Sequence, residues 1–327
     1  MCKKNEKIFI RALLPLYLVS KELKKSLETT KAIFIQDNIL SNLLLFCKED
    51  TKVIFFKNIH EIEDKEGLIL IGEKLNPEKT KKNIFLSMSR VDLIDVTEKL
   101  EYDGFSVYPL PSISFKPLAI NIKIPDIDWI IFTSKVGVNY FFKIFNDDIR
   151  KLNNIKFACV GKRTKQSLSS FGIQADVVPE TFMGEGLIKA LSKLDMKDKK
   201  ILLAQAETTR GIVEKELKKT GAKVEVLSLY RNVIPPLCYA FVKRAKDVNH
   251  IDYALFTSPS AVKHTMKLFG KMWENWTKRV NLFITIGPIT AKILKDYGKV
   301  VYPSEFTIKD MLEFVYRREY GRIGKDS

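Results

Sequence analysis

Asp128-Trp-Ile-Ile-Phe-Thr-Ser-Lys-Val-Gly-Val138 and Asp252-Tyr-Ala-Leu-Phe-Thr-Ser-Pro-Ser-Ala-Val262 are two versions of one segment. Each begins as a short apolar run, stops at Phe-Thr-Ser and then turns into a helical pattern. A run that is apolar at every position suits a strand buried on both faces, as in a parallel sheet. Ser or Thr at the turn is a good helix N-cap, because its hydroxyl accepts from the first free N–H groups of the helix.

Working outward, the same order of pieces occurs twice, over about residues 84–180 and 200–304. A strand–helix–Gly–strand unit precedes each segment in one reading of the repeat: Ile84-Phe-Leu-Ser to Asp103-Gly-Phe-Ser-Val107, and Ile201-Leu-Leu-Ala to Thr220-Gly-Ala-Lys-Val224. Leu93, Val96 and Leu100 give the first helix its apolar spacing. Ile212, Val213, Glu216 and Leu217 form the matching pattern in the second. Gly104 and Gly221 stand where a helix C-terminal glycine is expected. A third piece follows, Phe157-Ala-Cys-Val-Gly-Lys-Arg-Thr164 and Phe283-Ile-Thr-Ile-Gly-Pro-Ile-Thr290. Its helices end at Gly172 and Gly298, before apolar strands that reach Pro179 and Pro303.

Strands alternating with helices predict parallel sheets with helices on both faces. In such sheets ligands sit at the carboxyl ends of the strands. The two Phe-Thr-Ser turns and the two Val/Ile-Gly turns are such ends. They offer hydroxyls and helix N-terminal amides, which suit anions. One such turn need only cap its helix; four of one type point to a shared ligand bearing several carboxylates or phosphates.

Composition narrows the classes. A chain of 327 residues with 46% hydrophobic and 29% charged content reads as about two globular domains. Cys2, Cys47, Cys159 and Cys238 are far apart and lack metal-ligand spacing. They read as free thiols in a cytoplasmic protein. His60, His250 and His264 form no HxxxH or HExxH cluster, so no metal is expected. Ile8 to Val19 mimics a signal peptide, but Arg11 and Pro15 interrupt it and no small-residue cleavage site follows. No apolar run has the length of a membrane span. The net charge of +16 suits either a polyanionic ligand or solvated lysine-rich surfaces. No zinc-finger spacing or RNA-reading aromatic motif supports nucleic-acid binding.

Together these pieces resemble the uroporphyrinogen-III synthase family over about residues 84–315. The resemblance is carried by Phe132-Thr-Ser134, Val160-Gly-Lys-Arg-Thr164, Ile201-Leu-Leu-Ala with Arg210, Leu229-Tyr-Arg231, Phe256-Thr-Ser-Pro-Ser260 and Ile286-Gly-Pro-Ile-Thr290. It implies two similar flavodoxin-like α/β domains with parallel sheets, joined by a two-strand hinge, with a small N-terminal α/β extension. The implied boundaries are 1–83 for the extension, 84–112 plus 235–327 for one domain and 113–234 for the other. The hinge strands are expected at about Tyr108 to Phe115 and Leu227 to Ile234, flanked by Pro109, Pro111, Pro117, Pro235 and Pro236. The substrate is expected in the cleft between the domains.

The resemblance further implies a cofactor-free monomeric lyase of tetrapyrrole biosynthesis, in transient contact with the preceding pathway enzyme. Its substrate would be hydroxymethylbilane, a linear tetrapyrrole closed to a ring with inversion of the last pyrrole and loss of water. Tyr230 is the catalytic candidate, as donor to the departing hydroxyl; its alternative role is a hinge-packing aromatic. Thr133, Ser134, Gly161, Lys162, Thr164, Thr257, Ser258, Ser260, Gly287 and Thr290 are the substrate-binding candidates. Lys162 and Arg163 read either as propionate binders or as solvated cations. Two features depart from the family pattern. Ser87-Met-Ser-Arg90 stands in place of a Thr-Arg-Pro-like strand end. Ala204-Gln-Ala-Glu207 stands in place of Pro-Arg-Gly, and puts an acid near a carboxylate-rich substrate. A non-catalytic paralogue binding a tetrapyrrole or another polycarboxylate is the alternative to the enzyme.

Residues 1–83 stand apart from the repeat. Apolar runs at Ala32-Ile-Phe-Ile, Val53-Ile-Phe-Phe and Leu68-Ile-Leu-Ile-Gly72 read as strands, a stretch near Ile39 to Phe46 as a helix, and Glu73 to Asn83 as a linker.

Overall fold

The computed structural model describes residues 82–120, 126–145, 148–179 and 184–321, together with the backbone of four short N-terminal strands. Those strands are β1 (Lys7–Phe9), β2 (Ala32–Ile35), β3 (Lys52–Phe55) and β4 (Leu68–Ile71). They pair in parallel in the order β1-β4-β2-β3. The apolar runs at 32, 53 and 68 thus form strands. The expected helix at 39–46 and most of the expected linker lie outside the described residues.

The chain divides into two compact units, Met1–Ser114 with Val233–Ser327, and Phe115–Asn232. In the first, β5 (Asn83–Ser89), β6 (Ser106–Pro117), β11 (Ile251–Phe256), β12 (Val280–Thr285) and β13 (Val300–Val301) form a parallel sheet in the order β13-β12-β11-β5-β6. The second has β7 (Trp129–Phe132), β8 (Lys156–Cys159), β9 (Lys200–Ala206) and β10 (Lys223–Val233), parallel in the order β8-β7-β9-β10. Val177 adds a parallel bridge to Ala158 outside β8. The repeated pieces of sequence therefore take the same places in both sheets. Val177, β8, β7, β9 and β10 correspond in turn to β13, β12, β11, β5 and β6. In each sheet the chain reverses its direction of travel beside the strand that ends in Phe-Thr-Ser, the place where open α/β sheets bind ligands.

Side-chain alternation builds the cores. In the second unit Ile130, Phe132, Leu202 and Ala204 face one layer, with Phe141 and Leu168; Trp129, Ile131, Ile201 and Leu203 face the other, with Leu187 and Leu217. Both faces are covered, which is why these strands carry no polar alternation. In the first unit Phe85 meets Trp276, Phe269 and Phe256 at ring separations of 4.8, 6.0 and 5.7 Å. Each such fully buried aromatic contributes about 1.5–3 kcal/mol.

Three of the four predicted glycine stops hold, the first of them after α1 (Arg90–Tyr102); the helix expected to end at Gly298 instead ends at Leu294. Gly104, Gly172 and Gly221 have φ of 85°, 78° and 82°, the left-handed region that favours glycine. Another expectation is corrected: Pro109 and Pro111 do not flank a strand but lie inside β6, in register with Leu86 and Met88 of β5. The Ser106 amide donates to the Lys82 carbonyl, toward β5. Successive N–H groups alternate sides, so positions 109 and 111 belong to the row directed away from β5. Their missing donors leave the β5 ladder intact.

Candidate active site

The site in the second unit starts from the turn after β7. Ser134 has extended backbone and caps α2 (Lys135–Ile144), its Oγ accepting from the Gly137 amide at 2.9 Å. A side chain at position 137 would place Cβ 3.3 Å from that oxygen; glycine leaves the cap room. The same Ser134 Oγ lies 2.9 Å from the Tyr230 hydroxyl.

Tyr230 reaches it from β10. The β9–β10 register shifts between Ser228 and Tyr230, so the consecutive residues Leu229 and Tyr230 are both buried. Phe115 meets the Tyr230 ring edge-on at 5.5 Å and Tyr140 stacks on it at 5.7 Å. Tyr140 is held in turn by donating to the Phe115 carbonyl at 2.8 Å. With 5% of its surface exposed, Tyr230 has its pKa pushed above the usual 10.0 by burial; Tyr140 adds to this and the Ser134 bond opposes it. It stays a neutral phenol, able to donate, through the physiological range.

The other candidates sit at the remaining turns. Thr133 donates its amide to the Ala204 carbonyl at 3.4 Å. Gly161 is the N-cap of α3 (Lys162–Ser169), on which Lys162 and Arg163 are exposed and Thr164 is buried. In the first unit Ser258 caps the helix Pro259–Phe269, accepting from the Ala261 amide at 3.0 Å, and the Thr257 amide donates to the Ser87 carbonyl at 3.4 Å. Ser260 lies in the first turn of that helix. Gly287 precedes Pro288 at the start of a short helix (Pro288–Leu294), and a Cβ there would stand 3.1 Å from the Phe306 ring. Thr164 and Thr290 are 4% and 1% exposed. The Ser134 and Ser258 hydroxyls thus cap their helices, while those of Thr164 and Thr290 belong to buried residues. The helix N-termini still present amides that lack intrahelical acceptors.

Both departures from the family pattern have a structural role. Ser87 is fully buried, with its Oγ 2.7 Å from Ser112 Oγ and 2.8 Å from Thr265 Oγ1, and Ser89 caps the helix Arg90–Tyr102. The Glu207 amide donates to the Tyr230 carbonyl at 2.7 Å, and its carboxylate accepts from Arg231 at 2.8 Å. Tyr140, Phe115 and the Glu207–Arg231 pair are the parts of the site that sequence reading missed. Tyr140 carries a signal of a kind, as a polar aromatic in the otherwise apolar Tyr-Phe-Phe stretch of α2, but its partner cannot be read from spacing.

Among the described residues no group of three or more His, Cys, Asp or Glu side chains is placed to hold a metal, and no helix is long and apolar enough to cross a membrane. The family model for uroporphyrinogen-III synthase HemD matches residues 95–313. The chain belongs to the uroporphyrinogen-III synthase family. It is 28% identical over 225 residues to a Methanocaldococcus jannaschii protein named provisionally as a uroporphyrinogen-III synthase, covering 66% of this chain and 90% of that one. A Methanothermobacter thermautotrophicus protein with the same provisional name is 32% identical over 195 residues, 57% of this chain and 76% of its own. The fold matches the crystal structure of uroporphyrinogen-III synthetase from Helicobacter pylori with a TM-score of 0.54 at 18% identity, over 73% of this chain and all of that one. The family acts in tetrapyrrole biosynthesis, and the mostly parallel α/β architecture agrees with it.

Proposed function

We propose that this chain is a catalytically active uroporphyrinogen-III synthase, converting hydroxymethylbilane to uroporphyrinogen III and water. The observation that supports it most is the buried Tyr230 phenol, hydrogen-bonded to the cap serine of α2 at the carboxyl edge of the sheet, in a chain of this family.

The uncatalysed chain closes without inverting its last ring, so the enzyme's work is largely orientation: two distant ends must be held in a near-attack geometry. Helix N-terminal amides at the Ser134 and Gly161 turns of the second unit bind substrate carboxylates. Because the Thr164 and Thr290 hydroxyls are buried, we assign this role to backbone amides ahead of those hydroxyls.

Ser134 Oγ accepts from the Gly137 amide, so its own proton is free to go to Tyr230 Oη. That orientation turns the Tyr230 proton outward to the substrate hydroxyl. The C–O bond breaks, the hydroxyl leaves as water with the Tyr230 proton, and an azafulvene cation remains. The substituted carbon of the last ring attacks it to give a spiro intermediate, which opens and recloses with that ring inverted. The proton released as the pyrrole regains aromaticity returns to Tyr230. Product analysis tests the reading: the purified chain yields isomer III from hydroxymethylbilane, and formation of isomer I alone overturns it in favour of a non-catalytic paralogue.

A further inference from the structure

We propose that Arg210 and Arg231 form a carboxylate-binding subsite that Glu185 and Glu207 occupy until a polycarboxylate ligand displaces them. The proposal deepens the functional reading above and rests on it for the ligand class.

Both arginines belong to the carboxyl edge of the second unit's sheet. Arg231 follows Tyr230 on β10, level with the end of β9, since Tyr230 is in register with Ala206. Arg210 lies in the loop from β9 to the helix Ile212–Lys219, three residues after Glu207. The loop is held at both ends. The Glu207 amide donates to the Tyr230 carbonyl at 2.7 Å, and Gly211, left-handed at φ 69°, donates to Thr209 Oγ1 at 3.2 Å. One loop thus carries the acid that covers Arg231 and the arginine covered by Glu185.

The two ion pairs are of the exchangeable kind. Arg231 Nη2 meets Glu207 Oε1 at 2.8 Å, and Arg210 Nη1 meets Glu185 Oε1 at 3.1 Å, each through one nitrogen and one oxygen. All four side chains are about half exposed. Arg150, by contrast, uses both Nε and Nη2 on Asp148, so forked pairs do form in this protein. An exposed single-contact pair is worth little, whereas a guanidinium that grips a carboxylate through a fork in a drier site gains more. A ligand carboxylate gripped through a fork at either arginine therefore outweighs the single-contact glutamate it replaces. A ligand with one carboxylate meets the competition of both glutamates; a ligand with many engages both arginines at once. The glutamates thereby discriminate against simple carboxylates.

The test is fluorescence titration of the full-length chain with two porphyrins, one bearing eight carboxylates and one bearing four, beside turnover of hydroxymethylbilane. Glu207→Gln tightens the eight-carboxylate probe by about two- to fivefold, the weight of one exposed ion pair. Arg231→Gln weakens it, and in that background Glu207→Gln has no further effect. Glu185→Gln and Arg210→Gln behave as a second such set. Glu214→Gln, on the helix after the loop and paired with Lys218, removes the same charge and leaves affinity unchanged. Thermal midpoints verify that the variants are folded. If Glu207→Gln tightens binding equally with and without Arg231, or not at all, while the wild-type chain binds and turns over, the subsite is refuted alone. If the wild-type chain neither binds the probe nor forms isomer III, the functional reading falls and the subsite with it.

Discussion

Replacing Tyr230 by Phe separates chemistry from packing, because the structure fixes how little else changes. The ring contacts with Phe115 and Tyr140 remain, and Ser134 keeps the Gly137 amide. The folded state loses one hydrogen bond, about 0.5–1.5 kcal/mol. If Tyr230 protonates the departing hydroxyl, turnover falls by roughly 10²–10⁴-fold. At about 1.36 kcal/mol per factor of ten, that is roughly 2.7–5.4 kcal/mol of barrier, above the whole range of the folding loss. Initial rates of uroporphyrinogen III formation give kcat and KM, and urea unfolding gives the stability change on the same samples. The expected result is a large fall in kcat with KM changed little. A kcat within threefold of wild type would remove Tyr230 from the mechanism and leave it a packing residue.

Ser134→Ala removes both the cap of α2 and the partner of a buried phenol. The lost cap costs about 1 kcal/mol and the orphaned hydroxyl about 1–3 kcal/mol, so its urea midpoint falls further than that of Tyr230→Phe. The double variant costs less than the sum, since removing the phenol also removes the orphan. Asp252 gives a pH signature. Burial raises its pKa, but the Asn83 amide, Lys82 and His250 together outweigh burial and hold the carboxyl below its usual 3.8. A carboxylate depressed by folding stabilises above the unfolded pKa and loses that contribution as pH falls through the folded value. Asp252→Asn is therefore less stable than wild type at pH 7, and urea midpoints of the two converge below about pH 3.8.

Much of this architecture is written locally. Continuous apolar runs such as Trp129 to Phe132 and Ile251 to Phe256 demand strands covered on both faces, and Ser134 and Ser258 mark the helix starts by the hydroxyl each must place. Gly104, Gly172 and Gly221 announce left-handed turns. What sequence pattern could not show depends on direction across the fold. The prolines of β6 look like breakers until the side to which each N–H points is known. Thr164 and Thr290 look like ligand hydroxyls, yet a helix turn can bury its third residue while its first is exposed, as Lys162 and Thr164 show. The burial of Tyr230 needs a register shift in β10 and a ring from α2, and neither leaves a periodic trace.

Hydroxymethylbilane closes unaided without inversion, so ring inversion in the presence of this chain is the direct signature of the proposed activity. Chromatographic separation of the I and III isomers formed from hydroxymethylbilane, with and without the purified chain, addresses it directly. Isomer III in excess over the uncatalysed control is the predicted result. An isomer distribution that matches the control would contradict the account.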